Sequence, residues 1–264
     1  MREVRFSVGP AADEPITNSW GGWPTASSIQ PYLVLRSCVE GESDPVTGYL
    51  CNITMIDRLI RERSVPLVNR LIGQPRVTGE TLIQAIAADL RTQAPNGSRW
   101  INWQLYVTPC LSYGLICGAS NMIDISQCFE FSAAHRLHCE SLSDEENRRT
   151  FGKCNNPSGH GHNYAVVITI TGEPDPLSGV LMPVSRMEQI VQAQVIDRLD
   201  HKHLNRDCPE FAALNPSVEN IARVIWDLLA DRFAPATLKR IRVWETPKTY
   251  AEYEGPSDGE RRKT

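Results

Sequence analysis

The sequence predicts an α+β protein made of two related halves, each a four-stranded antiparallel sheet with two helices on one face. Three observations lead there. First, the chain repeats itself at an offset of 131 residues: Gly41-Glu42-Ser43-Asp44-Pro45-Val46-Thr47-Gly48 returns as Gly172-Glu173-Pro174-Asp175-Pro176-Leu177-Ser178-Gly179, with the same turn chemistry. Second, each half reads as strand, strand, helix, helix, strand, strand, the pattern that lays helices on one side of an antiparallel sheet. Third, all six histidines fall between residues 135 and 203, so the halves share a pattern but not a chemistry.

In the second half the first strand is expected over residues 127–137 and the next over 164–171, joined by a long polar connection that contains Ser141-Leu142-Ser143-Asp144-Glu145-Glu146-Asn147. A helix follows from Ser185, an N-cap type of residue, to Leu199, with Met187, Ile190, Val191 and Leu199 near helical spacing. The second helix begins near Ser217, behind Pro216, and carries Ile221, Val224, Ile225, Leu228 and Leu229 on one side. Residues 241–244 and 249–253 close the sheet. The first half supplies matching landmarks in the same order: Phe6-Ser7 for Phe131-Ser132, Tyr32-Leu33-Val34 for Tyr164-Ala165-Val166, Gly79-Glu80-Thr81 for Val218-Glu219-Asn220, and Thr108-Pro109 for Thr246-Pro247. The domains expected are therefore 1–118, 119–254 and a polar, disordered tail at 255–264. Uncovered sheet faces and edges lead to an expected homo-oligomer.

Composition narrows the function classes. With 27 basic and 31 acidic residues the chain has no overall basic field for nucleic acid. It carries no apolar run long enough for a bilayer, and the first ten residues lack a signal peptide's apolar segment, so a cytoplasmic protein without membrane partners is expected. Eight cysteines without a Cys-x-x-Cys pair read as free thiols in a reducing compartment.

The chemistry concentrates in the second half. In Gly159-His160-Gly161-His162-Asn163-Tyr164, histidines two apart on a strand share a face, and His135 on the preceding strand can join them. Three imidazoles with an open fourth position form a catalytic zinc arrangement, although imidazole also suits iron, copper and nickel. Cys154, six residues before His160 in a turn-rich loop, can be a base or nucleophile with a lowered pKa beside a cation. The rival reading makes Cys154 or Cys139 a fourth ligand that closes a structural site. Asp200-His201 past a helix end reads as an acid/base relay or as a polar helix terminus. Glu245, at the end of an apolar strand, is a solvated strand end or a bidentate acceptor for paired N–H donors, whereas Glu219, early in a helix, reads as structural. In the first half Pro10, Ser28 and Gln30 stand for His135, His160 and His162, and Asn69, Arg70 and Val107 for Asp200, His201 and Glu245. That half reads as a chemically silent copy.

Together with residues 131–137, 143–147 and 152–164 and with Leu199-Asp200-His201-Lys202, these motifs resemble the 6-pyruvoyltetrahydropterin synthase family, which has the tunnelling fold, or T-fold, and includes 6-carboxytetrahydropterin synthases. The resemblance covers residues 127–254, about half the chain. It implies catalytic zinc on His135, His160 and His162, Cys154 as general base assisted by Asp200 and His201, and Glu245 as anchor of the pterin ring. The implied substrate is 7,8-dihydroneopterin triphosphate, which loses triphosphate. Lys153, Arg136 and Lys202 are candidate triphosphate contacts. The spacing of six residues between Cys154 and His160 is closer to the pyruvoyl type than to the carboxy type of the queuosine pathway. Family members assemble as trimeric barrels with active sites at subunit contacts, so a trimer of two-domain chains, or a higher assembly, is expected. A zinc-stabilised pterin-binding protein without turnover, and a pure scaffold, are the alternatives from other classes.

Overall fold

The computed structural model describes residues 1–9, 30–95, 97–118 and 121–256. Pro10, Ser28 and the tail from residue 257 lie outside the described residues, so the expectations placed on them are not reached. The chain forms two compact units, Met1–Ser126 with Gly172–Leu181, and Gln127–Thr171 with Met182–Thr264.

Unit 1 contains strands β1 (Arg2–Ser7) and β2 (Tyr32–Gly41), helices α1 (Ile53–Leu59), α2 (Val65–Leu71) and α3 (Gly79–Leu90), then strands β3 (Ser98–Tyr106) and β4 (Leu111–Ile116). The strands pair antiparallel in the order β1-β2-β3-β4. A one-residue irregularity sits between Cys38 and Val39 of β2, and the turn of helix between α1 and α2, Ile60–Ser64, is π-helical. Alternating strand residues Val4, Phe6, Leu33, Leu35, Trp103 and Leu105 are buried, as are Ile83, Ile86 and Leu90 of α3, at the periods of a strand and of a helix that each bury one face.

Unit 2 holds most of β5 (Ile123–His135), then α4 (Asp144–Phe151), β6 (His160–Gly172), α5 (Val184–Val191), α6 (Asp197–Leu199), β7 (Lys202–His203), α7 (Leu204–Asp207), α8 (Val218–Leu229), β8 (Thr237–Thr246) and β9 (Thr249–Tyr253). Its sheet runs β5-β6-β8-β9, with β7 joining β5 in parallel at Ala133↔Lys202 and Ala134↔His203. The core joins Phe131, Tyr164, Val166, Ile168, Ile241 and Val243 of the sheet to Met187, Val191, Ile221, Ile225 and Leu229 of the helices.

Three expectations change in detail. The helix expected from Ser185 starts one residue earlier, with Pro183 as its N-cap and no side-chain cap, and a π-helical turn, Gln192–Ile196, carries it on to Leu199. Proline fixes φ at the helix start but offers the first helical amides no side-chain acceptor. The polar connection is partly helical: Ser143 and Glu146 form a reciprocal capping box that starts α4. β6 starts at His160, ahead of the run expected from residue 164, because ladder hydrogen bonds continue where the side chains turn polar, and β5 spans Ile123–His135 in place of 127–137, with Ile123 and Ile125 buried at its start.

Candidate active site

The strand register brings three of the predicted residues together. β5 ends at His135, β6 starts at His160, and the two-residue period of β6 places His160, His162 and Tyr164 on one face. Gly159 leads into β6 at φ 75°; a Cβ there would lie 2.8 Å from His203 Nε2 and 2.9 Å from the His135 carbonyl oxygen. Glycine is required on both counts, conformation and space.

The buried His135 ring donates from Nδ1 to the Pro216 carbonyl at 2.7 Å, since a carbonyl only accepts. This turns Nε2 inward, 3.1 Å from His160 Nε2 and 3.2 Å from Glu245 Oε1, and His162 Nε2 lies 3.5 Å from the same oxygen. One ligand atom from each of His135, His160, His162 and Glu245 lies within 4.8 Å of the others. A tetrahedral ion with ligands at the usual zinc distances has edges of about 3.3 Å, so the spacings match a single cation. His162 Nε2 is buried without a hydrogen-bond partner, as an imidazole awaiting an ion would be. Burial and the neighbouring imidazoles push the His160 and His162 pKa values down, and the bond to His135 holds the Glu245 carboxyl low. These are the forms that ligate a metal.

Among the described residues neither Cys154 nor Cys139 belongs to this group; the Glu245 carboxylate lies at ligand spacing there, where sequence left the choice between a thiolate and an open position. Cys154 instead lines a cavity of about 940 Å³ together with His160, Arg136 and Lys153. Burial, with a smaller contribution from Glu245, pushes its thiol pKa up in the chain without an ion, whereas the lowering expected was that of a thiol beside a bound cation.

Asp200 and His201 form their pair. Asp200 Oδ1 accepts from the Ser132 amide at 2.7 Å, Oδ2 meets His201 Nδ1 at 2.7 Å, and the His201 amide returns a 2.6 Å bond to the Ser132 carbonyl. The grip holds His201 at φ 56°, a left-handed conformation a non-glycine residue adopts only when its surroundings impose it. His201 and Lys202 line a cavity of about 540 Å³ with His162, not the cavity of Cys154. Within one chain, therefore, the thiol and His201 open onto different cavities.

The family model for 6-pyruvoyl tetrahydropterin synthase matches residues 124–256, half the chain, a stretch that contains every residue named above. This chain belongs to that family. The matched half is 44% identical over 131 residues to human 6-pyruvoyl tetrahydrobiopterin synthase, covering 90% of it, and 42% identical over 127 residues to the Drosophila melanogaster protein of that name, covering 76%. A 6-carboxy-5,6,7,8-tetrahydropterin synthase of Haemophilus influenzae is 27% identical over 153 residues, covering 99% of it. The solved Caenorhabditis elegans 6-pyruvoyl tetrahydropterin synthase aligns at 38% identity over 51% of this chain and 96% of its own, with a TM-score of 0.49. As a family member the chain is an enzyme of the pterin synthase lyase type.

Two groups at the family site escaped sequence reasoning. Arg148 on α4 joins Arg136 and Lys153 in the Cys154 cavity, and the helical reading of its segment was the missing signal. His203 has both ring nitrogens buried and unpartnered among the described residues, and it lines the cavity that holds His162 and His201. Nothing in its local sequence separated it from a surface histidine.

Proposed function

We propose that the chain is a zinc-dependent lyase that converts 7,8-dihydroneopterin triphosphate to 6-pyruvoyltetrahydropterin with loss of triphosphate. The observation that carries this is the convergence of His135, His160, His162 and Glu245 at ligand spacing, with Cys154 sharing a cavity with His160. His135, His160 and His162 would hold the zinc, which when bound supplies Lewis acidity to a hydroxylated substrate. Cys154 removes the proton next to the side-chain hydroxyls, and Arg136, Arg148 and Lys153 in the same cavity receive the departing triphosphate. The Asp200–His201 pair moves the protons that rearrange the side chain. Because His201 opens onto another cavity, a neighbouring copy completes the set, and the working form is an oligomer. The Glu245 carboxylate takes up the paired N–H donors of the pterin ring.

Supporting the pyruvoyl product are the higher identity to pyruvoyl-type relatives and the six-residue step from Cys154 to His160. Incubation with dihydroneopterin triphosphate and identification of the product by mass tests the choice. 6-Carboxytetrahydropterin with acetaldehyde would replace it with the alternative supported by the Haemophilus relative.

The first half is read as a silent copy of the second within a tandem T-fold. Its support is a set of corresponding irregularities: strand irregularities at Cys38/Val39 and Thr169/Ile170, π-helical turns at Ile60–Ser64 and Gln192–Ile196, and N-caps at Thr78 and Ser217. Asn69, Arg70 and Val107 provide none of the chemistry of their counterparts. Localisation is proposed as cytoplasmic; no helix among the described residues is long and apolar enough to cross a membrane.

A further inference from the structure

Unit 1, outside the stretch matched by the family model, contains a cavity of about 580 Å³, the size of a small-molecule site. It lies between the second half of α3, with Ala87, Ala88 and Arg91, and the sheet, with Trp100 and Trp103 of β3 and Leu115 of β4. Trp100 and Trp103 are 4% and 2% exposed, and their ring centroids lie 5.4 Å apart.

Side-chain size explains why this space is hollow. In the repeat, Ala87 stands for Trp226 and Leu115 for Tyr253; Trp103 faces Leu115 across β3 and β4 as Ile241 faces Tyr253 across β8 and β9. In unit 2 the Trp226 ring meets Tyr253 at 5.6 Å, edge to face, and packs so closely that a Cβ on Gly255 would lie 2.5 Å from it. Ala87 and Leu115 bring no ring, so one half keeps a space where the other carries an indole.

Two residues that line the cavity have donors without acceptors. Trp100 Nε1 donates to the Leu90 carbonyl at 2.9 Å, but Trp103 Nε1 is buried and has no partner among the described residues, although a buried indole N–H ordinarily has one. Arg99 pairs with Glu40, whereas no hydrogen bond or ion pair reaches the guanidinium of the exposed Arg91 among the described residues. An apolar aromatic floor with unpaired donors and a free cation is complementary to an aromatic anion.

We propose that unit 1 binds a planar aromatic carboxylate of two fused rings, with its rings against Trp100 and Trp103 and its carboxylate on Arg91. The indole floor supplies contact area and orientation, and the guanidinium selects the charge. The comparison with Trp226 rests on reading the two halves as a repeat; the site itself shares no residue with those proposed for catalysis.

Isothermal titration calorimetry of the full chain with 2-naphthoate, and with 2-naphthamide as its neutral counterpart, tests it. Wild type binds 2-naphthoate saturably and about tenfold or more tightly than the amide, and R91A removes that difference. A87W, which fills the space with the residue of its counterpart, weakens binding of both by about tenfold or more. Circular dichroism confirms that A87W is folded; if it is not, R91A, at an exposed position, carries the test. No saturable binding by wild type up to about 5 mM 2-naphthoate, equal affinity of wild type for acid and amide, or unchanged affinity for 2-naphthoate in R91A or in a folded A87W overturns the proposal. C154A binds 2-naphthoate as wild type does, so failure to form a pterin product counts against the catalytic reading alone.

Discussion

At the scale of single residues, the site separates ligands from the base by position. Cys154 lies outside the His135, His160, His162 and Glu245 group, so C154A is expected to keep its metal, read by elemental analysis, while turnover falls by about 10²-fold or more. A Cys154 that ligates would lose both. Glu245 is sharper still, because its oxygen sits at ligand spacing in a position proposed to anchor the pterin. E245Q should leave metal content unchanged and raise KM if the carboxylate anchors substrate; a metal-depleted E245Q would make it a ligand instead. Asp200 gives a pH signature. Its pKa is held below the ordinary 3.8, first by the Ser132 amide, with His201 adding to it. A lowered folded-state value stabilises the protein above 3.8 and loses that contribution as pH falls through it. The stability advantage of metal-free wild type over D200N, measured by denaturant unfolding, should therefore shrink between about pH 5 and pH 3. An advantage independent of pH would show that the carboxylate bonds contribute nothing.

At the scale of elements, α4 ties the approach to Cys154. Its buried Asn147 receives the Cys139 amide at 2.8 Å and donates to the Cys139 carbonyl at 2.9 Å, and the helix ends at Gly152, where the turn Gly152–Asn155 holds the thiol. The capping box that starts it joins the Ser143 hydroxyl to the Glu146 amide at 3.3 Å and the Ser143 amide to Glu146 Oε2 at 2.8 Å. S143A is expected to cost about 1 kcal/mol in thermal or denaturant unfolding. Unchanged stability would mean that the helix is held by Asn147 alone. This helix also shows how a signal can be present and unread: Ser143-x-x-Glu146 is a start signal, but the segment that follows lacks an apolar stripe, and periodicity alone left it as a loop.

At the scale of the whole molecule, the proposed function confines chemistry to one half. The metal-binding group found among the described residues draws only on unit 2, so the loaded protein should carry one zinc per 264-residue chain, and H160A close to none. Two per chain would contradict a silent first half. Cys154 and His201 open onto different cavities, which supports the proposal that a second copy completes the site.

Sequence by itself determined the α+β class, the strands that carry the histidines and the three histidine candidates, because strand periodicity converts spacing along the chain into sidedness. His160 and His162 had to share a face, and His135 stood at the end of the preceding strand. Tertiary structure alone decided that the Glu245 carboxylate comes to ligand spacing with them, that Cys154 does not, and that the ring nitrogens of His203 are buried. Those outcomes depend on which elements pack side by side, a property of strand order and register that residues far apart in the chain settle only once they are folded.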